Sequence, residues 1–193
     1  RCFSVTMTVF TVIFLLNLVR IFVVDQKLMM SAYIPSLIIY LVMCIAEKKI
    51  ASTNWFKKYL ILFSIVLVFT NIGVFLTYHG VLVTLLPFLY ATIYSSKRVL
   101  NYVYVLTVIS TIIIVYGGYY FGLCDANMAL LTTGTIAMHS ENGEFILTQI
   151  NQNPSVSLML FFVIPRCLIY VAFLSVCGSL FSIISGSTEK ARL

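Results

Sequence analysis

VSLMLFFVIPRCLIYVAFLSVCGSLFS, residues 156–182, decides what kind of protein this is. About 20 consecutive apolar residues are enough for a helix to cross a hydrocarbon core of about 30 Å. This run exceeds that length and holds one charge, Arg166, directly after Pro165. An arginine at the bilayer centre costs roughly 2.5–3.5 kcal/mol on insertion scales, so it has to face protein or water. Pro165 brings no N–H and leaves the Phe161 carbonyl without its helical donor. Besides snorkelling toward the interface, two readings of Arg166 stand side by side. In one it satisfies the broken turn and neighbouring carbonyls, with Asn17, Asn71 and span tyrosines as further partners. In the other it faces a cavity open to the outside and anchors an anionic or carbonyl-bearing ligand, a task suited to the planar guanidinium fork.

The rest of the chain agrees with a membrane setting. Of 193 residues 61% are hydrophobic and 9% charged, whereas soluble domains carry about a quarter charged residues. The chain opens on Arg1 and is read as part of a longer protein. Its first apolar run is too long, and lacks a cleavage site, for a signal peptide. Six apolar segments are predicted, at about 3–24, 28–46, 59–78, 81–94, 99–121 and 156–182. The fourth is short and contains Pro87. It reads as a tilted span or as a re-entrant segment buried in protein.

Charge sets the orientation. With a cytoplasmic N-terminus, six crossings place Arg1, Lys48, Lys49, Lys57, Lys58, Lys97, Arg98, Lys190 and Arg192 inside and Lys27 outside, the asymmetry that cytoplasmic loops show. The net charge of +6 is thus explained by anchors flanking the spans, not by nucleic-acid binding. Arg20 is expected near the outer end of the first span, its side chain reaching the headgroups.

Segment 122–155 is the expected outer loop. Asn142-Gly143 is a strong hairpin signal, because a type I′ turn needs positive φ at both central residues. Strands at about 135–141 and 144–150 would put Ile136, Met138, Phe145 and Leu147 on one face. That face is expected to dock on helix ends as a lid. The fold class is therefore an all-α integral membrane protein, with six transmembrane helices and a small extracellular β-hairpin between the fifth and sixth.

Catalytic signatures are missing: no HExxH, GxSxG or glycine-rich phosphate loop occurs, and no Asp or Glu falls inside a predicted span. The cysteines, Cys2, Cys44, Cys124, Cys167 and Cys177, have no metal-site or CxxC spacing. The expectation is no enzyme activity in this chain, no cofactor, no metal and no disulfide. The candidate ligand-binding residues are Arg166, Tyr78 and His79 at the turn after the third span, and Asp125 and Asn127 in the outer loop. Tyr78 and His79 also read as interfacial residues, and Gly117-Gly118 as a site of close helix packing.

Three stretches, FLTYHGVLVTLLPFLYATIYSSKRV (75–99), GGYYFGLCDANMALLTT (117–133) and FFVIPRCLIYVAF (161–173), together with this layout, resemble the N-terminal membrane region of clostridial GGDEF proteins of the diguanylate cyclase kind. The resemblance implies a bacterial sensor domain over 1–186 and, over 187–193, the start of a cytoplasmic linker to an output domain that makes cyclic di-GMP. It also implies a homodimer through the full-length protein. The expected role is signal input at the plasma membrane, with a small-molecule ligand arriving from outside and both termini cytoplasmic. The alternative is the substrate-binding membrane subunit of an energy-coupling-factor transporter. Against it, the first span contains no alanine.

Overall fold

A computed structural model describes residues 2–21, 24–50, 55–76, 84–94, 96–122, 135–141, 144–150 and 153–190; for residue 2, the two strands and residues 184–190 it describes the backbone alone. The chain is predominantly helical. Helices α1 (Cys2–Leu18), α2 (Gln26–Lys49), α3 (Phe56–Phe75), α4 (Leu86–Thr92) and α5 (Lys97–Phe121) are followed by strands β1 (Thr135–Glu141) and β2 (Glu144–Ile150). The last helical element starts as α6 (Pro154–Leu158), widens into a π turn (Met159–Val163) and continues as α7 (Ile164–Lys190).

Four of these helical stretches are long and apolar enough to cross a membrane: α2, α3, α5 and Pro154–Ile183. A fifth, Phe3–Leu18, is apolar but shorter. Their outward faces are apolar as well, with Leu168 65% and Ile183 67% exposed. Water would penalise such faces, and hydrocarbon does not. A membrane protein is the consistent reading.

Sequential helices α1, α2 and α3 run antiparallel. Phe3 meets the Tyr40 ring and Phe14 stacks on Tyr33, while Ser64 reaches Met43 and Asn71 reaches Ala32. Helices α3 and α5, however, run parallel. Tyr59 meets Tyr102 near their first turns, Thr70 meets Ser110 further on, and Gly73 lies against Ile114. A parallel pair requires the chain between them to travel back along the bundle. Among the described residues of that return no spanning helix occurs: α4 has seven residues, a rise of about 10 Å. The predicted fourth transmembrane helix, 81–94, is thereby corrected. Residues 84–85 form a 3₁₀ turn and Pro87 sits in the first turn of α4, where its missing N–H costs nothing. Phe88 and Ala91 are fully buried while Leu89 is 48% exposed, so α4 packs one face into the bundle.

The boundaries follow local chemistry. The first helix stops short of the expected residue 24 in a Schellman closure. Arg20 has φ 61, Ile21 N–H bonds the Leu16 carbonyl and Arg20 N–H that of Asn17. Arg20 thus caps the helix from beyond its end, in the left-handed conformation usually held by glycine. Asn17 Oδ1 then accepts Val24 N–H at 2.9 Å. Asp25 starts α2 by accepting Lys27 and Leu28 N–H.

The ribbon is antiparallel, with Met138 opposite Leu147, Ser140 opposite Phe145 and a closing pair Glu141–Glu144. This is the strand pair read from the sequence. Its register keeps positions 136, 138, 145 and 147 on one side. The turn residues Asn142 and Gly143, and the docking of that side as a lid, lie outside what is described.

Candidate functional site

The polar centre of the bundle is built on Tyr170 of α7. It is buried at 4% exposure. Its hydroxyl lies 3.1 Å from both Thr111 Oγ1 and Thr84 Oγ1. One side chain thus ties α7 to the middle of α5 and to the 3₁₀ turn that begins the α4 segment. The ring packs on Phe88 at 5.9 Å. Beside it, Thr70 and Ser110 join α3 to α5 at 2.7 Å. Each of Thr70, Thr107 and Thr111 also donates to the carbonyl four residues back, which satisfies the hydroxyls in a low-dielectric interior.

Arg166 lies four residues before Tyr170, one helical turn or about 6 Å along the axis. It is half-buried, on the same stripe as buried Val163, half-buried Cys167 and buried Tyr170; Ile164, Pro165, Leu168 and Ile169 are exposed on the opposite side. The charge is therefore carried on the packed face, close to mid-bundle, and it is not without a partner. Two expected partners are engaged elsewhere. Asn17 closes the α1–α2 connection. Asn71 donates to the Ala32 carbonyl at 2.7 Å, to Ser36 Oγ at 3.1 Å and to the Ser31 carbonyl at 3.4 Å. Ser31 is the residue whose carbonyl Pro35 leaves without a helical donor, so Asn71 serves a proline break in α2 rather than the one at Pro165.

The break at Pro165 is handled by widening the helix. Ile164 N–H bonds the carbonyl of Met159, five residues back. The extra residue in this turn re-phases the helix. Leu158 and Val163 are both buried although five residues apart, which a regular helix would place about 140° apart. π bulges of this kind are frequent at functional sites. The sequence shows Pro165, but nothing in it announces the π turn.

Comparison with family models, with curated proteins and with solved structures finds no match. Of the other residues in the expected ligand set, Tyr78, His79, Asp125 and Asn127 lie outside the described residues. The glycine contacts read from sequence are found: Gly117 lies against Val74 and Gly118 is buried in α5. Among the described residues no cluster of metal-ligating side chains occurs.

Proposed function

We propose that this chain is the signal-input module of a bacterial plasma-membrane protein, regulating a C-terminal cytoplasmic GGDEF diguanylate cyclase domain in response to a ligand from the outer side. The observation that carries this reading is α7, an unbroken helix from Ile164 to Lys190. It begins at a π turn with Pro165 and Arg166 and rises about 40 Å. A change at the kink therefore has a rigid path to the charged end. A ligand shifts output only through unequal affinity for two states, and a widened, proline-interrupted turn is a two-state element of the required kind. Arg166 and the residues of the 77–83 and 122–134 segments, Tyr78, His79, Asp125 and Asn127, are its candidate contacts.

The topology belongs to the same proposal: six traverses, both termini cytoplasmic, and the β-ribbon outside. The parallel run of α3 and α5 supports a return crossing between them. A homodimer, as in the resembled family, would pair the α7 tails.

The test restores a downstream cyclase domain and compares Arg166→Lys with Arg166→Gln. Lysine keeps the charge and loses the fork, while glutamine loses the charge. The proposal expects folded proteins with altered cyclic di-GMP output. Parental output from both variants would remove Arg166 from signalling. The π-widened last helix also favours a second reading, a transport subunit, since transporters bind substrates at interrupted helices. Uptake of a labelled small molecule by cells carrying this chain with a coupling ATPase, unaffected by loss of any cyclase, would establish it.

A further inference from the structure

The basic end of the bundle holds a cavity of about 260 Å³ between α1, α2, α3 and the α4 segment. Its floor is apolar, with Leu62 and Ile65 buried. Three tyrosines, Tyr40, Tyr90 and Tyr94, line the walls, and Glu47 stands at the rim. Tyr40 donates to Ser4 Oγ at 3.1 Å, and Tyr90 Oη lies 2.9 Å from Thr6 Oγ1. These bonds fix the rings while leaving oxygen lone pairs able to accept from a ligand.

The charges around the cavity are mixed. Lys57 Nζ is 3.9 Å from Glu47 Oε1, a long contact at a carboxylate whose side chain is 57% exposed. Lys57 Nζ also donates to the Glu47 backbone carbonyl at 3.2 Å, which holds the ammonium beside the carboxylate. A simple cation would meet the carboxylate and tyrosine faces favourably but would be repelled by Lys57. A simple anion would meet the reverse. A zwitterion with adjacent ammonium and phosphate answers both. An attached acyl chain would cover the apolar floor and leave past Ile93, which lines the cavity yet is 64% exposed.

We propose that this cavity binds the phosphoethanolamine headgroup of a membrane phospholipid. The ammonium is received by Glu47 and tyrosine oxygens, and the phosphate by Lys57 at the rim. A primary ammonium supplies three donors to these acceptors, whereas a choline headgroup supplies none. The assignment stands on its own residues and does not rest on the sensor reading.

Cys44 also lines the cavity and is a free thiol, which makes occupancy measurable. The experiment uses the full chain with Cys2, Cys124, Cys167 and Cys177 replaced by serine, reconstituted into bilayers of phosphatidylcholine alone or mixed with phosphatidylethanolamine. Labelling of Cys44 by a small maleimide is followed in each. The expected result is severalfold slower labelling in the ethanolamine bilayers, abolished by Glu47→Gln and retained by Glu47→Asp. Equal rates in the two bilayers, or slowing that survives Glu47→Gln, would overturn the proposal. A third arm adds soluble phosphoethanolamine to the choline bilayers. Protection there assigns the headgroup alone as sufficient; its absence, with protection in ethanolamine bilayers, assigns the intact lipid.

Discussion

The hydroxyl of Tyr170 lies 3.1 Å from both Thr111 Oγ1 and Thr84 Oγ1, so one atom joins three segments of chain in the apolar middle of the bundle. Removing that atom alone tests its weight. Tyr170→Phe keeps the ring on Phe88 and removes both of these contacts, while Thr111 keeps its bond to the Thr107 carbonyl. Interhelical hydrogen bonds in membranes contribute about 0.6 kcal/mol on average, up to about 1.7. Two are lost here, and the expected destabilisation is about 1–2 kcal/mol by that scale, measured by unfolding in mixed micelles. Thr111→Val should add little in the Tyr170→Phe background, because the shared bond is already gone.

Asn71 and Pro35 give a second prediction with a built-in rescue. Asn71→Leu removes the donor that covers the Ser31 and Ala32 carbonyls. A loss of roughly 1–2 kcal/mol is expected, on the scale of a buried group left unsatisfied. Pro35→Ala supplies a helical N–H to Ser31, so the double variant should recover part of the loss. If Pro35→Ala lowers stability equally with and without Asn71, the two residues are not coupled.

The glycines separate close approach from open space. A Cβ on Gly122 would run into the Val74 carbonyl oxygen, a backbone atom that no rotamer change can move, whereas one on Gly178 would meet nothing within 4 Å. Gly122→Ala should therefore lower the midpoint of thermal unfolding markedly. Gly178→Ala should leave it unchanged or raise it slightly through its helix propensity.

Much of this architecture was legible from residue order alone, and the misses have local causes. Long apolar runs located α2, α3 and α5 to within a few residues, because hydropathy is the main constraint on a spanning helix. The ribbon was legible because its turn chemistry is confined to Asn142-Gly143 and the strands flank it directly. Hydropathy could not show that α1 would close at Arg20, since the apolar run continues to Val24 and the ending is a backbone conformation. Nor could it distinguish a seven-residue helix from a span in 81–94. Both are apolar, and the difference lies in burial against Tyr170 and Leu62. In the candidate site, Arg166 stood out as a charge, and its place on the packed stripe followed from cost. The commitments of Asn17 and Asn71 depend on contacts between distant helices that no local pattern encodes. The cavity beside Glu47 escaped notice for the same reason: its walls come from α1, α2, α3 and the α4 segment.

The topology is tested by single cysteines in a cysteine-free background, probed with an impermeant thiol reagent in intact cells. Labelling from outside is expected at position 144 and not at 57 or 190. Position 96 is decisive for the return crossing. It precedes α5, which runs parallel to α3, so it should share the side of Lys57. Labelling of a cysteine at 96 from outside would place the two ends of α5 on the wrong sides and overturn the six-traverse arrangement.

The π turn offers the sharpest mutational contrast. A π bulge is one residue more than the regular helix needs, so deleting one should restore α-helical pairing without rotating α6 against α7. Phe161, 46% exposed, can be removed with little loss of packing. Deletion of Phe161 is expected to leave a folded protein in which Leu158 and Val163, now four residues apart, still share one face. Deletion of Ile112 from α5, which has no such turn, rotates everything beyond it by about 100° and should prevent folding. In the restored cyclase the Phe161 deletion should also lose the response to stimulus, held in one output state, because the element proposed to switch is gone. A deletion variant that folds and still responds would leave the bulge a packing device only. One that fails to fold as Ile112 deletion does would show that the turn is not a removable insertion, and the hinge assigned to it would be withdrawn.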